Sequence, residues 1–320
     1  MMKYIIPFVV TLILIGCNRK NSSVEKEIEA IPMTVELLRF DREFAQAEID
    51  ELSSLKKKFP AFFPNQFADT VWINKMQDTL QIELESEVLK AFPDDDKIIS
   101  EIKPLFQHIK YYFPKFLPPV VVTTTSDVDY RHSVIATDSI LVIGLDNYLG
   151  SEHYFYEGIE RYFAKVMKPS QIAPDIAEAY AEKFVARPRR NVFLDHAIYY
   201  GKQLYLKDLW LPSTPDFEKI GYTKEEYQWA EDNEVYMWQY FVEKEILFSS
   251  DARLPARFFN PAPFSKFYLE IDNESPGMLG RYLGWKIVRA YMNNNQTSVQ
   301  ELMKTDAEEI FKKSKYKPRK

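Results

Sequence analysis

The sequence predicts an α+β domain, mostly α-helical, in which a small three- to four-stranded sheet lies among the helices. Three observations carry this. Apolar residues recur at helical spacing over most of the chain. That period gives way once, between residues 119 and 145, to short β-branched runs. Only 9 glycines occur in 320 residues, too few for a turn-rich all-β fold.

Leu37, Leu38, Phe40, Phe44, Ile49, Leu52 and Leu55 predict a helix over 35–58. Phe59-Pro60 stops it, because proline cannot continue a helix and restricts the residue before it. A second amphipathic helix is expected over 71–92. A third opens at Asp94-Asp95-Asp96, where acidic residues complement the helix dipole, and runs to about Phe113. Strands are expected over 119–125, 133–136 and 140–145, with turns at 127–130 and 137–139. Further helices are predicted over 154–166, 173–185, 192–209, 224–248, 277–293 and 298–311. Gly280 and Gly284 share a face of one of these. Glycine inside a helix costs about 0.5–1 kcal/mol relative to alanine, so this helix, with Gly277 just ahead of it, is read as a tightly packed element; a hinge or ligand cleft is the alternative.

The N-terminus carries its own signal. Lys3 precedes an apolar run, Ile5 to Ile15, shorter than the ~20 residues a spanning helix needs. It ends Leu14-Ile15-Gly16-Cys17, the arrangement of a bacterial lipoprotein cleavage site. We expect a signal peptide over 1–16, an acylated Cys17 opening a flexible polar tether over 17–33, a globular domain over 34–311 and a basic tail over 312–320. Six of the last nine residues are cationic, which suits a solvated tail or contact with an anionic membrane surface. Cys17 is the sole cysteine, so no intrachain disulfide is available and stability must come from burial. With 46% apolar residues, 23 Phe, 20 Tyr and 5 Trp, a large core is within reach. The net charge of −6 and the lack of a basic, aromatic-interleaved stripe point away from nucleic acid.

Motifs for catalysis are sparse. Phosphate loop, nucleophile elbow and HExxH are all absent. His153 and Glu157, four apart, could share a helix face as metal ligands or be a chance pair. Asp127 and Asp129 suit a turn better than an acid–base pair. Asp195 and His196 are sequence neighbours, which on a helix point about 100° apart. No catalytic residue, metal site or cofactor is expected.

A resemblance rests on longer phrases. Phe193-Leu194-Asp195, Ile198-Tyr199-Tyr200-Gly201-Lys202-Gln203-Leu204-Tyr205-Leu206, Gly221-Tyr222-Thr223-Lys224, Trp229-Ala230-Glu231-Asp232-Asn233-Glu234, Ala262-Pro263-Phe264 and Ser275-Pro276-Gly277-Met278-Leu279-Gly280-Arg281-Tyr282-Leu283-Gly284-Trp285-Lys286-Ile287-Val288 resemble the gliding-motility lipoprotein GldB family of Bacteroidetes. The resemblance implies a cell-envelope lipoprotein, facing the periplasm, that serves surface gliding beside other gliding-machinery proteins. It implies no established activity. Chains of that family are in turn similar to zinc peptidases of zincin-like fold, in which two His one turn apart flank a catalytic Glu and a third ligand follows about 20 residues on. The matching positions here are Ala177, Glu178, Ala181 and Tyr200, so that resemblance implies a zincin-like fold with its metal site lost. The other reading of 177–181 is an ordinary amphipathic helix with a surface glutamate. Three classes therefore stand open: a non-catalytic component or assembly factor, a peptide- or glycan-binding lipoprotein, and a hydrolase with an unrecognised site.

Overall fold

The computed structural model describes residues 18–270 and 272–318. The signal peptide expected over 1–16 and Cys17 lie outside the described residues, as do Arg319 and Lys320 of the expected tail. The fold is mostly helical with one four-stranded mixed sheet, an α+β arrangement.

The described residues open with helix α1 (Asn18–Glu29). This differs from the free tether expected there. Ile28 is buried, and Gln107 Nε2 donates to the carbonyls of Glu29 (3.0 Å) and Ile31 (2.8 Å). These contacts, with Glu25 against His108 Nε2 (3.3 Å) and Glu27 accepting from the Tyr111 hydroxyl (3.4 Å), dock a segment whose polar composition had suggested no docking. Strand β1 (Leu37–Arg39) follows, where helix was predicted. It pairs in parallel with β2 (Val120–Thr124), Leu38 opposite Val122, so a partner more than 80 residues away overrides the local period. Helices α2 (Phe40–Gln46) and α3 (Leu52–Lys58) complete that segment.

The predicted helix over 71–92 is two, α4 (Asp69–Gln77) and α5 (Thr79–Ala91). Asp78 divides them: its carboxylate accepts from the amides of Leu80 (2.9 Å) and Gln81 (3.0 Å), the action of an N-cap. Helix α6 (Asp95–Tyr112) starts with Asp95 and Asp96 in its first turn, as the sequence indicated. Strands β2, β3 (Val134–Ala136) and β4 (Ile140–Gly144) lie within the predicted runs. The order is β1-β2-β4-β3, with β3 antiparallel at one edge. Alternation along β2 sends Val121 to one face, with Leu141 and Ile143, against α6. It sends Val122 to the other, onto Phe40, Phe44, Phe59 and Phe63.

Helix α7 (Arg161–Ala164) is all that forms of the helix expected over 154–166, apart from a short 3-10 turn at Tyr154–Tyr156. Gly158, at φ +89°, turns the chain between them. Two long helices follow, α8 (Ile172–Phe184) and α9 (Phe193–Trp210), then α10 (Asp216–Ile220), α11 (Lys224–Asp232), α12 (Glu234–Glu243) and α13 (Leu254–Phe258). Helix α14 (Leu279–Asn294) crosses α9, and α15 (Val299–Lys304) and α16 (Ala307–Ser314) close the chain. Lys312 and Lys313, expected in a free tail, belong to α16, and Tyr316 packs edge-on to Trp238.

The core has two large parts that meet along α9. One gathers the sheet, α6 and α8; the other gathers α9, α14 and the aromatic residues of α12 and α13. Their junction depends on glycine. A Cβ on Gly284 would land on the carbonyl of Ala197, and one on Gly201 on the carbonyl of Gly284. Gly280 faces the Phe259 ring in the same way. The close-packing reading of this helix is the one the structure shows, with α9 as the partner.

Candidate functional site

Helix α8 carries three of the positions that sequence singled out, and its geometry separates them. Ala177 and Ala181, four apart, occupy one face. Both are fully buried in the core part that contains Ile102, Leu105, Leu206 and Trp210. Glu178, one residue on, points away from that face. Its side chain keeps 38% exposure yet meets two cations, Lys207 Nζ at 2.7 Å and Arg281 Nη1 at 3.3 Å. The surface-glutamate reading of Glu178 is thereby corrected: the carboxylate joins α8 to α9 and α14.

Lys207 is 3% exposed and also donates to the carbonyl of Lys219 (2.9 Å). A buried ammonium needs an anion and filled hydrogen bonds, and Glu178 with that carbonyl supplies them. Arg281 donates to the Phe259 carbonyl (2.6 Å) and lays its guanidinium over the Tyr200 ring at 4.2 Å. Tyr200 stacks in turn on Phe259. Glu178 and Tyr200 thus share one cation, while Ala177 and Ala181 turn into the core. The sequence had not singled out Lys207 or Arg281. A signal for each was present: Lys207 sits in the otherwise largely apolar end of α9, and Arg281 between two close-packing glycines.

Charge sets the protonation of this cluster. Burial pushes the Glu178 carboxyl upward, but Lys207 and Arg281 outweigh it and hold it at about 2. One turn earlier, Asp175 accepts from the Tyr148 hydroxyl at 2.8 Å. Burial dominates there, Lys207 and Tyr148 offset it only in part, and its carboxyl rises to about 7. The network continues past Lys207. Lys219 Nζ lies between Asp208 (3.2 Å) and Asp216 (3.3 Å), and Arg289 bonds both carboxylates and covers Trp285. An ionised, doubly paired Glu178 is a weak proton acceptor near neutral pH. The arrangement suits fixing three helices more than moving protons.

The other flagged residues are dispersed. Asp127 pairs with Lys75 (2.9 Å) and Asp129 with His132 (2.9 Å), so the two carboxylates serve different cations. Both sit in the turn predicted for them; it is held from below by buried Asp146, which accepts from the amides of Ser126 (2.9 Å) and Val128 (2.7 Å). His153 meets Glu87 (3.3 Å), and the hydrogen bonds of Asp195 and His196 go to Arg190 and Asn191 respectively. Among the described residues no group of three or more His, Cys, Asp or Glu is placed to hold a metal ion. Nor, among them, is any helix long and apolar enough to cross a membrane.

Residues 21–318 match the family model described as gliding motility protein GldB. That span is nearly the whole chain, and the chain belongs to this family. No curated protein matches it, and no solved structure does.

Proposed function

We propose, with membership of the GldB family as premise, that this chain is a lipid-anchored envelope protein that serves gliding motility through contacts with other proteins of the gliding machinery. In this reading it is a non-catalytic component or assembly factor. It faces the periplasm, is held by acylated Cys17, and takes neither nucleic acid nor cofactor. The family supplies the link to gliding and to a lipoprotein. The observation that carries the non-catalytic part is the state of Glu178. The helix that would present a peptidase site buries Ala177 and Ala181 in the core and commits its glutamate to Lys207 and Arg281. We read these positions, with Tyr200, as a pseudo-peptidase remnant whose polar residues now serve packing.

The test replaces the native copy in a gliding bacterium that carries this chain. The pair Glu178→Gln with Lys207→Met removes both charges of that ion pair. With normal protein level and acylation, spreading should persist, whereas loss of a general base costs roughly 10²–10⁴ in rate. A non-spreading strain with undiminished, acylated protein would overturn the reading. In parallel, Cys17→Ser should abolish palmitate labelling and release the protein from membranes; a variant that still labels would sink the anchor.

A further inference from the structure

A sizeable cleft lies away from Glu178. It has a volume of about 990 Å³ and opens between the loop after α8, helix α9 and the segment joining α15 to α16. That volume is at the upper end of the roughly 300–1,000 Å³ usual for small-molecule sites. Lys202 lines it. On α9, Lys202 and Lys207 are five residues apart, about 140° around the helix, so the cleft and the Glu178 network use different faces.

Lys202 is 8% exposed and differs from the other buried lysines in its partners. Lys207 and Lys219 each meet carboxylates. Lys202 Nζ donates only to two backbone carbonyls, Thr305 at 2.8 Å and Met303 at 3.3 Å, and among the described residues it has no ion pair. Two neutral acceptors leave one donor unfilled and no carboxylate in hydrogen-bond contact with the buried ammonium, a costly state. Burial accordingly lowers the ammonium to about 8, with Asp306 offsetting only part.

The walls add to that charge. Arg187, Arg189 and Lys304 also line the cleft and form no ion pair among the described residues. Of its four acidic residues three are already engaged, Asp195 and Glu308 by Arg190 and Glu309 by Lys313, and only Asp306 has no ion pair among the described residues. The cleft therefore offers at least four cations without an ion-pair partner, with Lys202 buried and the two arginines exposed. Guanidinium forks suit oxyanions with several terminal oxygens, and a lysine supplies a point charge. Ile198, Tyr199 and Met303 give the same cleft an apolar wall for an organic group.

We propose that this cleft binds a phosphate monoester, its dianionic phosphoryl group held by Lys202, Arg187 and Arg189. The ester is either a lipid headgroup or a soluble molecule; the chemistry of recognition is the same. Calorimetric titration of the full chain in neutral detergent, at fixed ionic strength, tests it with glycerol 3-phosphate as probe and glycerol as neutral control. Binding with a Kd below about 1 mM is expected for the phosphate alone. Lys202→Met and, separately, Arg187→Ala with Arg189→Ala should each weaken it by about tenfold or more, the scale of one lost charged hydrogen bond. Lys57→Ala, on the exposed face of α3, should leave it unchanged. The arginine pair is on the surface, so that arm stays decisive should the core variant misfold. Displacement of the probe by mixed micelles of that detergent containing phosphatidic acid, and not by micelles containing phosphatidylcholine, assigns a lipid source; displacement by neither assigns a soluble ester. No binding at about 10 mM, or binding indifferent to both sets of substitutions, would overturn the proposal.

Discussion

Glu178 shows how one side chain acquires meaning from its neighbours. As Gln it keeps its shape but strips Lys207 of the carboxylate it bonds at 2.7 Å. Breaking a fully buried pair costs about 3–5 kcal/mol. Glu178 retains 38% exposure, so solvent softens the loss, and we expect about 1–3 kcal/mol. Urea unfolding of Glu178→Gln should show this as a lower midpoint. Adding Lys207→Met should recover part of it, since the stranded charge is then gone. Recovery of nothing would mean the pair does not act as a unit. Asp175 gives the pH signature. Burial pushes its folded carboxyl up to about 7 from an ordinary 3.8, so between those values the unfolded chain releases a proton that the folded chain keeps. Its contribution to stability is present below about 4 and is lost as pH rises towards 7. Asp175→Asn should therefore flatten the fall in unfolding midpoint between pH 4.5 and 7. A variant with the same slope as the parent would show that Asp175 is not the group responsible.

At the scale of elements, the crossing of α9 and α14 carries the most constrained contact. Backbone meets backbone at Ala197, Gly201 and Gly284, so neither helix can shift sideways to admit a methyl group. In an open helix Gly284→Ala would gain up to about 1 kcal/mol from propensity. Here the collision with the Ala197 carbonyl reverses the sign. We expect a net loss of about 1–3 kcal/mol or more, seen as a reduced melting temperature and lower cellular level. A more stable Gly284→Ala protein would show that the crossing is looser than described. The break between α4 and α5 is a smaller matter of one cap. Asp78→Ala should cost about 0.5–2 kcal/mol by thermal unfolding, and an unchanged melting temperature would remove Asp78 from that role.

For the whole molecule, α1 decides how the domain stands relative to its expected anchor. A lipid on Cys17 would sit at the residue before α1, and twelve helical residues span only about 18 Å. With Ile28 buried and Gln107 bonded to the end of the helix, the domain would be held close to the lipid surface instead of swinging on a loose leash. Limited trypsin digestion reports on this directly. The Lys26–Glu27 bond should resist cleavage under native conditions and become sensitive when Ile28→Asp undocks the helix. Rapid cutting of the parent protein at Lys26 would return the segment to the status of a free tether.

Much of this was already legible in the chain. The β-branched runs fixed three strands, because their pattern is local and has one burial solution. Long helices such as α6, α8, α9 and α14 were legible because their apolar period persists over three turns or more. The paired glycines announced a close approach, though not with which helix. Other features belong to tertiary structure alone. β1 became a strand only because β2 lay within reach, and α1 docked on α6 through Ile28, two backbone carbonyls and the Glu25–His108 contact. The ion-pair network could not be read in advance, since Glu178, Lys207 and Arg281 lie 29 and 74 residues apart in succession and no periodicity links them. The unpaired charge of Lys202 was equally hidden. In the sequence it is one lysine among many; its burial beside two carbonyls, under a cleft lined with arginine, exists only once three separated segments have packed. Local pattern specifies which residues are apolar and how they repeat, but the partners of a buried charge are set by which distant elements the core brings together.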